Sequence, residues 1–344
     1  MKIPREDLLS QLESVEPGLS NKDIIEQGRH FIFLKDRIVT FNDQISCTMA
    51  TTLDIRGAVR AQNFLGMLRQ MREEDVEVVQ NSKTITLKGK NKRTRIYVDK
   101  EIEILKHIET IEKPTKWKSL PEEFCEAIEI TAACVSKKAS DYTSTCVHLH
   151  PDYLEASDNV QVTRYPLKLK LKRPILIVGE CLKHVAEAEV THFSQGNSWI
   201  HFRNPRGLII SCRLSSDEDY PDLSGSFDVS GKKAVLPKGL VEAAKRAQMF
   251  SSENVEKDRV IISLRPGRML IKGEGISGDH KEGRKINYKG HEIEFLISPS
   301  ILIDIVTRHN ECKISEDFLK IDTGSYVYVT CLGHRAKKKK KGGD

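Results

Sequence analysis

Three segments of the sequence contain residues that could do chemistry. "GEGISG" (273–278) fits the GxGxxG spacing of a dinucleotide-binding loop, and "SSDEDYPD" (215–222) concentrates carboxylates that could attract a cation. His148 and His150 have the spacing that puts two rings on one face of a strand, as a pair of metal ligands would require. Each segment has to be judged by the residues around it.

None of the three has the surroundings that its chemistry needs. A dinucleotide loop lies between a strand and a helix, but "DHKEGRKINY" (279–288) reads as a charged turn that leads to another strand. No carboxylate or cysteine is arranged beside the two histidines, and the acidic run lacks the residue order of an EF-hand. The chain also has no P-loop. We therefore predict that the protein is not an enzyme and has no catalytic residue, metal site or cofactor.

The cysteines and the N-terminus bear on the cellular compartment. The eight cysteines are scattered, with no CxxC spacing and no metal-like pairing with histidine, which is typical of buried reduced thiols. The opening "MKIPREDLL" becomes charged before an apolar signal-peptide core could form, and no window approaches eighteen consecutive apolar residues. The sequence predicts a cytoplasmic protein that does not enter a membrane.

The positive charge is concentrated at the C-terminus. The formal net charge is +6, and the final segment "GHRAKKKKKGGD" (333–344) supplies +5 of it, so the rest of the chain is nearly neutral. Any affinity for nucleic acid therefore depends on where the remaining charges lie. The lysine tail could hold phosphates or an acidic patch of a partner, or it could be a disordered solubilising end, and the sequence favours neither.

Six short apolar helix cores recur along the chain at intervals of 56 to 62 residues. The clearest lies in "EFLISPSILIDIVTRHN" (294–310), where Ser298 is an N-cap type, Pro299 suits the first helical position and apolar residues follow at helical spacing. The six cores are LLSQL (8–12), FLGML (64–68), FCEAI (124–128), CLKHV (181–185), LVEAA (240–244) and LIDIV (302–306).

Strand and hairpin signals fill the intervals between these helices. They are HFIFL (30–34), TITLKGKNKRTRIYV (84–98), STCVHLH (144–150), LKLKLKR (167–173), GLIISCRL (207–214), RVIISLRPGRMLIKGEG (259–275) and YVYVTCL (326–332). One helix with three or four strands leaves two sheet edges and an apolar face uncovered, so two such units would pair into one domain. The sequence predicts an α+β fold with three similar domains, 1–115, 116–231 and 232–334, and a basic disordered tail, 335–344.

Some helices have basic residues opposite their apolar face. Arg69 and Arg72 lie across from the apolar stripe of 60–72, Lys245 lies across from that of 236–250, and Arg308 ends the last helix. Each of these basic residues, taken alone, is most simply interpreted as a solvated side chain. Their recurrence at equivalent places in repeated units favours a shared use, such as contact with phosphates.

Over residues 1 to about 332 the chain resembles the bacterial-type DNA sliding clamps, the beta subunits of replicative DNA polymerases, in a divergent version of bacterial or phage type. "NYKGHEIEFLISPSILIDIVTRHN", followed by "YVYVTCL", is the most specific stretch of this resemblance. Further similar stretches are "MKIPREDLLSQLESVEPGLSNK", "RAQNFLGMLRQMREEDVEVVQNSKTITLKGKNKRTRIYV" and "EDYPDL".

The resemblance implies a function in DNA replication without chemistry of its own. In such clamps two three-domain chains join head to tail into a ring, the helices line a central hole and the sheets form the outer layer. The implied function is that of a processivity factor that encircles duplex DNA without sequence preference and tethers a DNA polymerase. The implied partners are duplex DNA, the polymerase, an ATP-dependent clamp loader and a second copy of the chain.

The resemblance also assigns roles to particular residues. Lys22, Lys137, Lys138 and Tyr142 fall where the family contacts DNA, and the face geometry adds Arg69, Arg72, Lys245 and Arg308. Ile96 and Val98 fall at the ring-closing contact, opposite Met249 and Phe250 of the other chain, although apolar residues there could equally belong to the core of a domain.

The family's partner-peptide pocket is implied at a site whose residues depart from the family pattern. The stretch that usually reads Thr, Asp, Gly, His, Arg, Leu is Ser157 to Val162 here, Pro221 is retained, and the usual C-terminal Pro, Met, Arg, Leu is replaced. We therefore expect the location to persist with a changed specificity. The implied pocket residues are Ser157, Asp158, Asn159, Val162, Pro221, Val329, Cys331 and Leu332.

A non-encircling DNA-binding protein is the alternative interpretation. "KGKNKRTR" (88–95), "KLKLKR" (168–173) and the tail would then grip phosphates directly. In the second of these, Lys168, Lys170 and Lys172 would share one strand face. The same stripe could instead be a charged sheet edge that prevents pairing with other molecules.

Overall fold

The computed structural model describes residues 1–22, 25–81, 83–137, 141–215, 220–252 and 258–334. The chain forms two compact units. Unit 1 consists of Met1–Ala156 with Pro166–Tyr220, and unit 2 consists of Ser157–Tyr165 with Pro221–Asp344. Unit 1 contains most of the first two predicted domains, and unit 2 contains most of the third. The division into three domains stays a prediction.

All six predicted helices are confirmed, and a four-residue helix is added to them. In α7 the chain leaves a strand at Ile297, Ser298 is the N-cap, Pro299 is the first helical residue, and Leu302 and Ile305 are buried. The helices are α1 (Arg5–Val15), α2 (Ala61–Gln70), α3 (Leu105–Ile108), α4 (Phe124–Ala132), α5 (Gly179–Glu187), α6 (Leu240–Ser251) and α7 (Pro299–Arg308).

The strands of the described residues are short and pair antiparallel with their neighbours. They are β1 (Lys2–Pro4), β2 (His30–Leu34), β3 (Arg37–Phe41), β4 (Ile45–Ala50), β5 (Arg56–Arg60), β6 (Asp75–Gln80), β7 (Thr84–Lys88), β8 (Arg93–Tyr97), β9 (Lys118–Ser119), β10 (Cys146–Leu149), β11 (Tyr153–Ser157), β12 (Gln161–Pro166), β13 (Ile175–Val178), β14 (His192–Gln195), β15 (Trp199–Arg203), β16 (Ile209–Arg213), β17 (Lys232–Val235), β18 (Val260–Arg265), β19 (Arg268–Glu274), β20 (Asp279–Lys285), β21 (Asn287–Tyr288), β22 (Ile293–Ile297), β23 (Glu311–Ile314), β24 (Phe318–Asp322) and β25 (Val327–Cys331).

Unit 1 is built on two sheets and a smaller strand group. One sheet has the order β1-β6-β7-β8, a second runs β5-β2-β3-β4-β16-β15-β14-β9, and β13, β10 and β11 lie side by side. Helices α1 and α2 contact each other, as do α4 and α5. The apolar helix faces pack on the sheets through aromatic rings: Phe64 of α2 makes edge contacts with Phe31 and Phe33 at centroid distances of 6.5 and 6.1 Å.

Unit 2 repeats this plan with one helix pair. Its strands form one group in the order β12-β25-β24-β23-β17-β21 and a four-stranded sheet in the order β20-β19-β18-β22, and α6 contacts α7. Gly273 in β19 lets α6 lie directly on the sheet, because a Cβ at this position would overlap the backbone of Ala247. A side chain at Gly273 would therefore push α6 away from its strand.

Two interpretations of local sequence were wrong. The segment "LKLKLKR" is not a strand: residues 167–174 form an irregular extended connection, and the N–H of Leu169 donates to the carbonyl of Pro151. Lys168, Lys170 and Lys172 are exposed, but they lie on no sheet face. "DHKEGRKINY" is not a turn, since Asp279–Lys285 is strand β20, paired with β19 in a hairpin. The residues after "GEGISG" therefore do not form a helix.

The cysteines and histidines fit structural roles in the described residues. Six of the eight cysteines are buried, Cys125 is half-buried, and Cys331 is exposed, so the prediction of a buried thiol is wrong for Cys331. His148 is buried against Tyr220, with ring centroids 4.4 Å apart. No three His, Cys, Asp or Glu side chains of the described residues are arranged to hold a metal ion. No helix in the described part of the chain has the length and hydropathy that spanning a bilayer requires.

Candidate nucleic-acid and subunit interfaces

Lys22 projects from a loop that is fixed by its own hydrogen bonds. The backbone N–H of Lys22 donates to Ser20 Oγ at 3.2 Å, and this hydroxyl donates to the carbonyl of Lys22 at 2.6 Å. Arg29 donates to the carbonyl of Asn21 at 2.8 Å. Lys22 is exposed and forms no ion pair with another described residue. A charge held outward on an ordered loop is suited to contact a phosphate.

Lys137 and Tyr142 follow α4 in the chain, on either side of residues 138–140, which lie outside the described residues. Lys137 is exposed, while Lys138 lies outside the described residues. Asp141 Oδ1 accepts the N–H of Thr143 at 3.1 Å and the hydroxyl of Thr143 at 2.8 Å, which fixes the backbone beside Tyr142. The hydroxyl of Tyr142 lies 2.9 Å from Ser215 Oγ. Burial raises the pKa of Tyr142, so its ring contributes a neutral hydroxyl rather than a charge.

Arg72 and Lys245 are exposed basic residues, the first just beyond a helix and the second on a helix surface. Arg72 lies two residues beyond the end of α2, and Lys245 lies on the outer face of α6 between the buried residues Ala244 and Ala247. Neither forms an ion pair with another residue of the described chain. Together with Lys22 and Lys137 they form what we call the free basic set.

Arg69 and Arg308 differ from that set because carboxylates of the same unit already neutralise them. Arg69 Nε lies 3.0 Å from Glu13 and its Nη2 lies 2.8 Å from Glu16, both at the C-terminal end of α1 or just beyond it. Hydrogen bonding to Glu13 raises the pKa of Arg69 further. Arg308 Nε lies 3.1 Å from Asp304, one turn earlier on α7. Such surface pairs are weak, but they cancel the long-range field of the guanidinium.

A cavity of about 1020 Å³ opens beside α1, α2 and α5 in unit 1. Arg29, Arg60 and Arg69 line it together with Glu13, Glu16, Glu180 and Glu187. His184 of α5 is also paired, with its Nδ1 3.1 Å from Glu187. The mixture of signs leaves little net charge in this cavity, so it is a poor phosphate site.

Strand β8 is an edge of its sheet, and its exposed apolar side chain is Tyr97. Ile96 and Val98 are only 6% exposed, whereas Tyr97 is 83% exposed. Val98 is held inside at Gly57, whose φ is +140° and whose missing Cβ leaves room for the valine. Ile96 is buried, but it is one of the residues that line a cleft of about 730 Å³ between α2 and β8. The exposed side chain of this strand is therefore that of Tyr97, whereas Ile96 and Val98 are buried. The ring-closing contact that the resemblance assigns to Ile96 and Val98 stays a prediction.

Met249 and Phe250 lie in the last turn of α6, near β20, an edge strand of unit 2. Met249 is 71% exposed, and the Phe250 ring stacks on His280 with centroids 6.4 Å apart. Glu282 of β20 contacts Arg246, Arg284 and His280. Burial alone would raise the pKa of Glu282, but hydrogen bonds from Arg246 and His280 and the charges of Arg246 and Arg284 hold it below its usual value. The carboxylate thus ties the end of α6 to the edge strand.

The predicted partner-peptide residues lie together in unit 2, but the apolar ones are buried. Val162 of β12 lies directly opposite Val329 of β25. Val162, Val329 and Leu332 are 6, 3 and 6% exposed, whereas Cys331, Asn159 and Pro221 are exposed. These three apolar side chains are therefore covered in this structure and do not form the open apolar cup that the resemblance implies. A peptide that binds at this place would first contact the exposed residues around them, which we call the rim.

The rim is formed by a tight turn between β11 and β12. Asp158 Oδ1 accepts the N–H groups of Val160 and Gln161 at 3.0 and 2.9 Å, and Asn159 has φ +70°. Asn is well suited to that conformation. The carbonyl of Val160 accepts the N–H of Cys331, so Cys331 lies beside an exposed Val160. Burial, with the charges of Asp158 and Asp317, raises the pKa of Cys331.

Protein-family models and curated proteins do not identify the chain. No protein-family model matches the chain. No curated protein matches it either.

Solved structures match over nearly the whole chain. The DNA polymerase III beta subunit of Thermotoga maritima has a TM-score of 0.80 at 14% identity, over 97% of this chain and 99% of that one. The beta subunit of Borrelia burgdorferi has 0.82 at 13% identity, and the beta chain of Streptococcus pneumoniae has 0.77 at 16%, each with the same coverage. The chain therefore has the fold of the bacterial DNA polymerase III beta subunits, the sliding-clamp fold.

Proposed function

We propose that this protein is a DNA sliding clamp: two copies join head to tail into a ring that encircles duplex DNA and tethers a replicative polymerase. The observation that carries the proposal is the match to bacterial beta subunits over 97% of this chain at TM-scores from 0.77 to 0.82. The match also covers 99% of each of those beta subunits.

The charge distribution supports sliding rather than tight electrostatic binding. Outside the C-terminal segment the chain is nearly neutral, and the free basic set contributes four separated cations. Contacts to phosphate position a protein on DNA without reading its bases. Enclosure then supplies the retention, because a closed ring is not released by salt screening. We propose that Lys22, Arg72, Lys137 and Lys245 meet the phosphates, with Lys138 and Tyr142 beside them.

Ring closure would join the edge strand β8 of one copy to β20 of the other. Both strands are sheet edges with free hydrogen-bonding groups, which a second chain can extend. Tyr97 on β8, and Met249 and Ile276 near β20, are exposed apolar side chains, and the cleft between α2 and β8 has room for a side chain. We propose that Met249 and Phe250 enter this cleft, over Ile96 at its floor.

The proposed function requires two protein partners, a clamp loader and a polymerase. A ring has to be opened around DNA, and the sequence has no P-loop to drive opening with ATP, so a separate ATP-dependent loader is part of the proposal. Polymerase and loader would bind at the rim formed by Asn159, Val160 and Cys331. The protein would act in the cytoplasm as a non-enzymatic replication factor of bacterial or phage type.

Retention on circular DNA tests this function. The protein is assembled on nicked circular plasmid by prolonged incubation, washed at rising salt, and the plasmid is then cut by a restriction enzyme. A clamp stays on the circle in salt and leaves when the plasmid becomes linear. A protein held by charge on six or more phosphates instead loses affinity about a thousandfold between about 50 and 200 mM salt, on circular and linear DNA alike. The second result would favour the non-encircling alternative.

A further inference from the structure

Three lysines lie in one row across neighbouring strands of unit 2. Lys233 of β17 is directly opposite Lys313 of β23, and Lys313 is directly opposite Lys320 of β24. Directly opposite residues point to the same face of a sheet. The other face of these strands is buried, since Ala234, Cys312 and Leu319 have exposures of 2, 7 and 1%. The lysine row therefore lies on the face that points away from the core.

The row is unfavourable for folding. Neighbouring strands are about 4.8 Å apart, so three ammonium groups are anchored within about 10 Å. Like charges directly opposite each other destabilise a sheet. Lys233 and Lys313 form no ion pair with another described residue, and Lys320 donates to the carbonyl of Phe227 at 2.7 Å. Stability of the sheet alone does not account for the row, whereas an anionic ligand does.

The row forms part of the wall of a groove of about 640 Å³. Lys232 and Lys289 add two further cations to this groove. Two residues along the strands from the row, Glu311 and Asp322 line the same groove, about 7 Å from the lysines. The groove thus has a basic side and an acidic side.

We infer that this groove binds an extended acidic peptide segment of a partner protein. A peptide can place carboxylates over the lysine row and a basic or polar residue over Glu311 and Asp322. A DNA strand repeats phosphates at every nucleotide, so it would bring phosphates against those two carboxylates. Among the described residues that line the groove there is no aromatic side chain on which a base could stack and no arginine that could bind a phosphate through two hydrogen bonds. Charge complementarity therefore favours a peptide over nucleic acid.

The row is continuous with the candidate peptide pocket. Lys320 is directly opposite Val329, and Val329 is directly opposite Val162. On the proposed function, the partner would be the polymerase or the loader, with acidic residues flanking the segment that reaches the rim. Only the identity of the partner rests on that function, because the binding chemistry lies within unit 2.

Fluorescence anisotropy tests the inference with two probes, a short fluorescein-labelled peptide rich in Asp and Glu and a labelled duplex oligonucleotide, both at low salt. The variant carries Lys233→Glu and Lys313→Glu. A matched control carries Lys168→Glu and Lys170→Glu, the same charge change at exposed positions of unit 1. The peptide should bind the groove variant about tenfold more weakly than the parent, and the control within about twofold of it.

A stability measurement keeps the binding result interpretable. Lys313→Glu alone replaces repulsion with attraction on both sides, so it should raise Tm. This single variant should nevertheless bind the peptide more weakly than the parent, and that loss would not be due to unfolding. Unchanged peptide affinity in the groove variant would overturn the inference, as would a loss of duplex binding that is confined to the groove variant. The peptide measurement needs no loader and no closed ring, so a chain that fails to close into a ring can still pass this test.

Discussion

The guanidinium Nη2 of Arg69 lies 2.8 Å from the carboxylate of Glu16, so a cation that the sequence assigns to DNA is already paired within unit 1. Lys22, Lys137 and Lys245 have no such partner among the described residues. The basic helix surfaces therefore divide into free and neutralised positions, and the two groups should respond differently to substitution.

Charge reversal separates the two groups. A triple variant with Lys22→Glu, Lys137→Glu and Lys245→Glu should lower clamp-dependent primer extension about tenfold or more, because three phosphate contacts become repulsive. Arg69→Gln should change extension less than about twofold, since the pair it breaks is worth about 0 to 1 kcal/mol. Both are measured at equal dimer concentration with circular dichroism to verify the fold. An Arg69 variant as impaired as the triple variant would contradict the assignment.

Exposed apolar residues at the two sheet edges should hold the dimer. Tyr97→Asp with Met249→Asp places a desolvated charge in each proposed contact, so sedimentation velocity should show monomers. Val160→Asp is the matched control, because Val160 is also an exposed apolar residue, at 39%, but lies at the peptide rim. It should stay dimeric. If the Tyr97 and Met249 variant sediments as a stable dimer, the interface lies elsewhere.

His201 should make stability depend on pH. It is 2% exposed on β15, its Nδ1 lies 2.8 Å from Ser211 Oγ, and burial lowers its pKa to about 4. The unfolded chain takes up the proton near pH 6.5, so the neutral histidine favours folding fully above that pH, and the contribution is lost as pH falls toward 4. From pH 7 to about 4.5 this contribution to the free energy of unfolding should fall by about 2 to 3 kcal/mol.

The variant His201→Gln isolates this effect. Urea titrations at both pH values should show a smaller loss of stability in the variant than in the parent, by roughly the contribution of the histidine. An identical loss in both proteins would mean that His201 titrates normally.

Cys331 should react with thiol reagents faster than the other seven cysteines. Among the described residues it is the one exposed cysteine, while burial raises the pKa of Cys146 to about 11 and those of Cys47, Cys181 and Cys312 to about 12. A maleimide should label Cys331 first and Cys125 next, as mass spectrometry of digests can show. Label on Cys331 should also weaken partner-peptide binding at the rim. Fast labelling of several buried cysteines would contradict the described packing.

The repeated helices could be predicted because their signal is local. Leu302 and Ile305 recur at helical spacing after Ser298 and Pro299, and the helix begins and ends where these residues indicate. "LKLKLKR" failed because alternation specifies an extended backbone and not its pairing, and Leu169 donates to a loop carbonyl instead of a neighbouring strand. Lys168 is consequently exposed without belonging to a sheet face.

The site was harder to predict because it depends on contacts between distant residues. In "RIYV" every position after the arginine is apolar or aromatic, so the sequence alone does not decide that Ile96 and Val98 face inward and Tyr97 outward. The pairing of Arg69 with Glu16 joins residues 53 positions apart. Neither relationship leaves a local pattern, whereas both follow once the strands and helices are in place.

Electron microscopy of the purified protein tests the central claim most directly. Class averages of negatively stained particles should show closed rings with a central hole and six outer lobes, formed by two copies of the chain. Curved or compact particles of a single chain, at concentrations where a dimer would persist, would contradict the encircling clamp and favour a protein that holds DNA by charge alone.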